Sequence, residues 1–297
     1  MKPVSRRTLL ATSLAFAAAP AAARTMIDLN RRALAALERT SGGRLGVCAI
    51  DAGSGRTLMH RADERFAMCS TFKLPLAAAI LQRADQGKLA LDTMVPYGKA
   101  DMVPYAPVTE KDLDKGGMTV RDLAEAAQKV SDNVAANLLL KQIGGPAGFT
   151  QFFRDIGDEV TRLDRYEPEM NAGGAEGDER DTTTPAAMAA TVVKLFTSEA
   201  LTAQSRALLA QWTIDTKTGL KRLRAGLPTD WKAGDKTGTA LDGKLGKYND
   251  AAIAWPKDRA PIVIAAYFNV AQTSEAIEDR HQAVLAEVAR IATTWAG

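Results

Sequence analysis

Residues 70–84 read STFKLPLAAAILQRA, and they mark the point where the predicted secondary structure changes from strand to helix. The apolar run from Leu74 to Ala84 is typical of a buried helix. Strand patterns lie on both sides of the helical region, at 44–51 and 56–60 before it and at 230–239, 247–255 and 261–269 after it. Amphipathic helices are predicted at the two ends, over 27–39 and 276–295. This order predicts an α/β plus all-α fold: an antiparallel sheet flanked by helices, with an all-helical domain inserted into it.

Several boundaries in the middle of the chain are marked by capping and breaking residues. Thr119 followed by Asp122 indicates a helix start, and Thr184-Pro185 indicates another. A helix over 133–143 ends at Gly144-Gly145-Pro146. The segment from 165 to 184 is rich in Gly, Asn and acidic residues, and a long irregular segment in a compact enzyme is usually functional.

We therefore divide the chain into a discontinuous α/β domain, 24–68 with 217–297, and an all-α domain, 69–216, with a site at their interface. The length of 297 residues fits one large domain or two that pack closely. An apolar content of 46% and a charged content of 25% are ordinary for a globular protein. After the N-terminal region, no run is long and apolar enough to predict a membrane span.

The first 23 residues have the pattern of an export signal. Lys2, Arg6 and Arg7 are followed by an apolar stretch over 9–19, and Ala21-Ala22-Ala23 offers a cleavage site. Ser5-Arg6-Arg7-Thr8-Leu9-Leu10 favours a twin-arginine signal, with a general secretory signal as the alternative. We expect an exported protein, periplasmic if the source has an outer membrane. Without these three basic residues the chain keeps 35 of its 38 basic residues against 35 acidic ones, so its charge does not predict nucleic-acid binding.

Cysteine and histidine usage restricts the possible chemistry. Cys48 and Cys69 are the two cysteines, and we expect both to be buried thiols without a disulfide. His60 and His281 are the two histidines, and neither lies in a metal-ligand pattern or a recognisable Ser-His-Asp context. A zinc hydrolase and a histidine-dependent serine hydrolase are therefore disfavoured, and no metal or organic cofactor is predicted.

Four short motifs in a fixed order carry the functional prediction. Ser70 and Lys73 are three residues apart, so a helix would place the hydroxyl and the amine on one face, where a base can activate a weak nucleophile. They are followed by Ser131-Asp132-Asn133, by Glu167 within the 165–184 loop, and by Lys236-Thr237-Gly238. A second Lys-Thr-Gly at 217–219 runs into a charged segment and is interpreted as a turn. The order of the motifs is more specific than any one of them alone.

On these motifs the chain resembles a class A serine β-lactamase, and the resemblance spans essentially the whole chain after the export signal. It implies the β-lactamase/transpeptidase-like fold, a monomer, and hydrolysis of a small β-lactam substrate without a cofactor. It assigns Ser70 as nucleophile, Lys73 and Ser131 as proton carriers, and Glu167 as the base that activates water against the acyl-serine ester.

The resemblance also implies the substrate-binding residues. Asn171 helps to position the water, and Asn133 holds the substrate's side-chain amide. Lys236 attracts the substrate carboxylate, while Thr237 and Gly238 complete its motif and Thr239 supplies an oxyanion-hole N–H together with Ser70. Tyr105 lines the entrance of the site. In the loop, Arg165 pairs with Asp181, and Glu167–Pro168 is a cis peptide bond.

Three departures from the family pattern bear on specificity. The strand after Lys236-Thr237-Gly238 has no arginine, so Arg222, or else Arg224, is expected to help hold the substrate carboxylate. The loop is about one residue longer than usual across 172–175. Carbapenem-hydrolysing relatives can form a disulfide between the cysteine before the nucleophile and a cysteine that follows Lys-Thr-Gly by two residues. This chain has the first cysteine, Cys69, but the second position is Ala240. The disulfide cannot form, which favours a penicillinase or cephalosporinase.

Two other functions remain open from the sequence. A peptidoglycan D,D-peptidase shares the serine, the lysine and Lys-Thr-Gly, but it resembles this chain poorly around Glu167. A penicillin sensor would be acylated and stay acylated, and it is normally tethered to a signalling membrane segment. Glu167 therefore separates a hydrolase from both alternatives.

Overall fold

The computed structural model describes residues 21–172, 177–242, 244–271, 274 and 276–297, with the backbone alone over 21–27. The strands are β1 (Gly43–Asp51), β2 (Thr57–His60), β3 (Phe66–Ala67), β4 (Met94–Pro96), β5 (Gly117–Thr119), β6 (Thr182–Thr183), β7 (Lys232–Leu241), β8 (Leu245–Trp255) and β9 (Ile262–Ala271). The helices are α1 (Ala21–Ser41), α2 (Lys73–Asp85), α3 (Val120–Lys129), α4 (Asn133–Gln142), α5 (Gly145–Asp155), α6 (Pro185–Thr197), α7 (Ala203–Ile214), α8 (Leu223–Gly226) and α9 (Asp279–Ala296). Short 3₁₀ turns cover Cys69–Phe72, Lys99–Asp101, Leu113–Lys115 and Glu169–Ala172.

The centre of the fold is a five-stranded sheet with the order β2-β1-β9-β8-β7. Every neighbouring pair in it is antiparallel. Strands from the N-terminal part of the chain therefore pair with strands from the C-terminal part, and the helices α2 to α7 lie between them in sequence. The predicted fold class, an antiparallel sheet flanked by helices with a helical insertion, is confirmed.

Both faces of the sheet are buried, as the alternation along β9 illustrates. Val263, Ala265 and Tyr267 belong to the core shared with the helical insertion, whose helices also pack against one another. Ile264 and Phe268, on the opposite face, belong to a second core with α1, α8 and α9. A strand buried on both faces reads as a continuous apolar run, which explains the sequence of β9.

The helix boundaries follow from local chemistry. Thr119 caps α3 by accepting a hydrogen bond from the backbone N–H of Asp122 at 3.1 Å, as its sequence predicted. The stop after α4 is also confirmed, because Gly144 and Gly145 have φ values of 91° and 71°. The same glycines lead directly into α5, which has proline in its first turn. Helices α5 and α7 and the short pair β4 and β5 were not predicted.

The remaining predictions on organisation have separate outcomes. Cys48 and Cys69 are buried and free of any disulfide, as expected. No helix in the described part of the chain has the length and apolar character of a membrane span. The export signal at 1–23 lies almost wholly outside the described residues, as does most of the 172–175 insertion. The domain boundaries at 68/69 and 216/217 stay predictions.

Candidate active site

Ser70 lies on the 3₁₀ turn that leads into α2, and Lys73 follows on the first turn of that helix. The Lys73 ammonium donates to Ser70 Oγ at 2.9 Å. The residue before the serine, Cys69, has a φ of 45°, a conformation that non-glycine residues adopt at a cost. The predicted Ser-Lys pair is therefore in hydrogen-bond contact at a helix N-terminus, where free backbone N–H groups favour negative charge.

In the Ser131-Asp132-Asn133 motif, Asp132 has a structural role, while Ser131 and Asn133 belong to the site. Asp132 caps α4 through the N–H of Ala135 at 2.9 Å, and it also accepts hydrogen bonds from the 108–109 backbone. Ser131 and Asn133 are thereby left to face the site. Ser131 Oγ accepts from Lys73 at 3.3 Å and from Lys236 at 3.0 Å, so one hydroxyl bridges the two lysines. Asn133 Oδ1 accepts from Lys73 at 2.5 Å.

Glu167 reaches the nucleophile from the loop between α5 and α6. Its Oε1 lies 3.2 Å from Ser70 Oγ, which donates to it, and 3.0 Å from the Lys73 ammonium. Its Oε2 accepts from the Asn171 side-chain amide at 2.6 Å. Both carboxylate oxygens are thus engaged at the point where Ser70, Lys73 and Asn171 meet.

Two further contacts hold this loop. Asn137 on α4 accepts from the N–H of Glu167 and donates to its C=O, both at 2.9 Å. At the base of the loop, Arg165 Nε donates to the buried carboxylate of Asp181 at 2.5 Å, as the resemblance implied. The Glu167–Pro168 bond is cis, as expected. The backbone carrying Glu167 is therefore fixed from α4 and from the far end of the loop.

The two site lysines are buried, and burial disfavours their charged forms. Burial lowers the pKa of Lys73, against the opposing effect of the Glu167 carboxylate. For Lys236, burial and the neighbouring ammonium of Lys73 lower the pKa to about 7. Both amines therefore hold their protons less tightly than an exposed lysine does.

Strand β7 brings Lys236-Thr237-Gly238 and Thr239 alongside the nucleophile. A side chain at Gly238 would place its Cβ 2.6 Å from the Met68 carbonyl oxygen and 3.1 Å from the Ser70 nitrogen. Glycine at this position is required because the strand backbone passes so close to the Ser70 turn. Thr239, the next residue, lines the same cavity as Ser70.

Arg222, not Arg224, is the arginine that contacts Gly238 and Thr239 on this strand. Its Nη1 donates to the Gly238 carbonyl at 3.0 Å and its Nη2 to Thr239 Oγ1 at 2.6 Å. Arg224 instead forms an ion pair with the buried Asp235 at 2.7 Å. Of the two candidates that the sequence left open, Arg222 alone lines the cavity in front of Ser70.

That cavity has a volume of about 380 Å³ and joins the predicted residues into one site. Tyr105, which is 60% exposed, stands at its rim as predicted. The residues that line it are Ser70, Tyr105, Ser131, Asn133, Asn171, Thr218, Arg222, Thr237, Thr239, Leu241, Ile277 and Gln282. Lys73, Glu167 and Lys236 lie buried directly behind this surface, in contact with Ser70 or Ser131.

Five residues at this site were not predicted, among them Leu241, which lines the cavity. Thr218 belongs to the Lys-Thr-Gly interpreted as a turn, yet its Oγ1 accepts from Thr237 Oγ1 at 2.7 Å. Gln282 on α9 accepts from Arg222 Nε at 3.4 Å. Ile277 adds an apolar side chain to the rim, and Asn137 holds Glu167. The repeated Lys-Thr-Gly was the one signal that pointed to any of them.

Within the described residues, no three His, Cys, Asp or Glu side chains are grouped so that they could hold a metal ion. His60 pairs with Glu38 at 2.9 Å. His281 packs against the rings of Tyr248 and Phe268. Both histidines are therefore engaged in structural contacts outside the cavity.

Known proteins resemble the chain over most of its length. The family model described as "Beta-lactamase enzyme family" matches residues 30–296. The carbapenem-hydrolyzing β-lactamase KPC of Klebsiella oxytoca is 46% identical over 98% of this chain and 97% of its own, and β-lactamase L2 of Stenotrophomonas maltophilia is 49% identical over 89% and 84%. The solved structure of the last common ancestor of Gram-negative bacteria class A β-lactamase (GNCA4) superposes with a TM-score of 0.84 at 56% identity, covering 89% of this chain and 98% of that one. With the geometry around Ser70, these matches show that the chain belongs to the class A serine β-lactamases, which hydrolyse β-lactams.

Proposed function

We propose that the protein is an exported enzyme that opens the β-lactam ring of penicillins and cephalosporins through an acyl-Ser70 intermediate. In this proposal, Glu167 activates the water that releases the product. The observation that carries it is the contact of Ser70 Oγ with both Lys73 and Glu167, at 2.9 and 3.2 Å. The Glu167 carboxylate can accept the serine proton directly, and Lys73 can accept it in its neutral form, which burial favours. The same carboxylate lies beside the future ester.

Acylation forms a bond from Ser70 Oγ to the lactam carbonyl carbon and breaks the carbon–nitrogen bond of the ring. The serine proton passes to Lys73 or Glu167, and the ring nitrogen must receive a proton as it leaves. Ser131 Oγ, which contacts the ammonium groups of both Lys73 and Lys236, is the donor that can pass it on. The backbone N–H groups of Ser70 and Thr239 stabilise the carbonyl oxygen as it becomes negative.

In this proposal, the substrate binds at the end of the cavity where Lys236 and Arg222 lie. The carboxylate common to penicillins and cephalosporins is attracted by Lys236 and by Arg222, which is held through Thr239 and the Gly238 carbonyl. Thr237 and its partner Thr218 add hydroxyl groups at the same place. Asn133 holds the side-chain amide of the substrate, and Tyr105 packs against its apolar part.

Deacylation needs a water held between Glu167 and the ester. Asn171 supports this role, because its amide nitrogen contacts Glu167 while its Oδ1 is buried with no hydrogen-bond partner among the described residues. A buried acceptor without a partner is costly unless a bound molecule satisfies it. Water attacks the ester carbon, Glu167 takes its proton, and Ser70 Oγ leaves and is protonated again.

The choice between hydrolase, D,D-peptidase and penicillin sensor depends on Glu167. In Glu167→Gln, a good penicillin should react once and accumulate as an ester on Ser70, which mass spectrometry detects as a mass increase of one substrate molecule. Turnover should fall by about 10²–10⁴-fold, the usual contribution of a general base. Ser70→Ala is the matched control and should form no adduct. Near-normal turnover by Glu167→Gln would show that another group activates the water.

The range of substrates is tested in the same assay. The relative KPC is named for carbapenem hydrolysis, but the disulfide that the sequence analysis associated with such relatives cannot form here, because Ala240 has no thiol. Steady-state kinetics on one penicillin, one cephalosporin and one carbapenem should give the carbapenem the lowest kcat/KM. A carbapenem kcat/KM equal to that for the penicillin would contradict this assignment.

A further inference from the structure

Lys247 is a buried lysine that the proposed mechanism does not use. It lies on β8 with only 5% of its surface exposed. Its neighbour on the same face of the strand, Asn249, donates to the backbone carbonyls of Ala67 and Met68, just before the Ser70 turn. An ammonium group is rarely buried without partners that compensate the loss of water, so a specific contact must hold it there.

One such contact lies on the Glu167 loop. The Lys247 ammonium donates to the backbone carbonyl of Asn171 at 2.7 Å. Asn171 is also the residue whose side chain contacts Glu167 Oε2 at 2.6 Å. A charged hydrogen bond thus ties a strand of the central sheet to the 169–172 turn, which carries Asn171 and begins two residues after Glu167.

The charge of Lys247 also acts on Cys69, the residue before the nucleophile. Burial raises the pKa of the Cys69 thiol to about 12, and the positive charge of Lys247 is the largest effect that opposes this rise. The charge of Lys247 therefore acts on the turn that holds Ser70, while its hydrogen bond holds the turn that carries Asn171.

The sequence after Asn171 explains why such a contact is useful. The residues from 172 to 175 are Ala, Gly, Gly and Ala, and none has a side chain long enough to anchor the turn to the sheet. The hydrogen bond from Lys247 therefore supplies an anchor on the sheet at Asn171, the residue just before this stretch.

We propose that Lys247 is a positioning residue for deacylation, which holds the 169–172 turn against the sheet so that Asn171 and Glu167 keep their placement relative to Ser70. The inference rests on the proposed role of Glu167. The other groups assigned to acylation lie on the 3₁₀ turn that leads into α2, on α2 itself, before α4 and on β7, so the loss of this contact affects the water site before it affects ring opening.

Lys247→Met tests the inference, because methionine has a similar length but neither charge nor donor. Stopped-flow measurements with a chromogenic cephalosporin give the acylation rate, and the decay of the acyl-enzyme followed by mass spectrometry gives the deacylation rate. We expect deacylation to slow by about tenfold or more while acylation stays within about twofold, since small displacements of catalytic groups have effects of this order. Lys232→Met, at an exposed lysine on β7, is the matched control and should behave like the parent enzyme.

Lys247→Arg and Lys247→Gln keep a donor, and both should deacylate faster than Lys247→Met. They also carry the test if methionine lowers the yield of folded protein, which thermal unfolding of each variant monitors. An unchanged ratio of deacylation to acylation in the folded variants would overturn the inference. If Glu167→Gln accumulates acyl-enzyme while Lys247→Met does not, Lys247 alone is misassigned; if Glu167→Gln turns over normally, the proposed function itself fails.

Discussion

Replacing Asn137 by leucine should release the Glu167 loop from α4. The substitution keeps the size of the side chain but removes both hydrogen bonds to the backbone of Glu167, each 2.9 Å long in the wild type. It leaves a buried N–H and a buried C=O without partners, at about 1–3 kcal/mol each, or about 2–6 kcal/mol together. In a domain of this size, 1 kcal/mol corresponds to about 2–4 °C in Tm, so a fall of about 4–24 °C is expected.

The loop can also respond by opening locally, in which case the loss of global stability is limited to the stability of the loop itself. Hydrogen exchange then reports the change, as faster exchange of backbone amides in 165–172. Either way, deacylation should slow by about tenfold or more, because Glu167 loses its placement. Gln142→Leu, at the C-terminal end of the same helix, controls for the effect of leucine on α4. A Tm within about 1 °C of the parent, with unchanged exchange and turnover, would refute this account of how the loop is held.

Three further predictions concern pH, metals and export. Lys236 should lose its proton in the free enzyme as the pH rises through about 7, so kcat/KM should fall on the alkaline side. Lys236→Arg should move this alkaline fall to higher pH, because arginine stays charged. Measuring kcat/KM from about pH 6 to about pH 10 checks both expectations. Activity should survive exhaustive chelation, because lysines and backbone N–H groups supply the positive charge; loss with EDTA that zinc restores would contradict the serine mechanism. Replacing Arg6 and Arg7 by lysine should retain active enzyme in the cytoplasm if the signal is of the twin-arginine type, as fractionation and activity assays would reveal; unchanged export would favour the general secretory signal.

Sequence reasoning located the site because its residues lie in short motifs whose order is informative. Ser70 and Lys73 are separated by one helical turn, so their contact follows from helix geometry alone. Lys236 and Thr239 lie on one strand, and the sequence predicted a strand over 230–239. Glu167 was predicted from the family resemblance, because nothing local in its sequence fixes its distance to Ser70.

The remaining contacts depend on tertiary packing and carry no local signal. In the sequence, nothing distinguishes Asn137 from other residues of its helix, because its contact with Glu167 forms only in the folded protein. Gln282, more than 50 residues after Arg222, meets it only when α9 packs on the sheet. The positive φ values of Cys69 and Ser131 are likewise unpredictable, because they are imposed by surrounding structure on residues that do not prefer them.

The tight passage of β7 past the nucleophile has a consequence for how this enzyme can change under antibiotic selection. At Gly238 even one added carbon would collide with the Met68 carbonyl oxygen, at 2.6 Å, and force the strand away from Ser70. The rim is different, because Tyr105 and Ile277 are 60% and 53% exposed and can be replaced without moving the strand. Substitutions that accommodate a bulkier antibiotic are therefore tolerated at the rim but not at Gly238. An inhibitor that depends on contacts beside Gly238 is harder to escape by mutation.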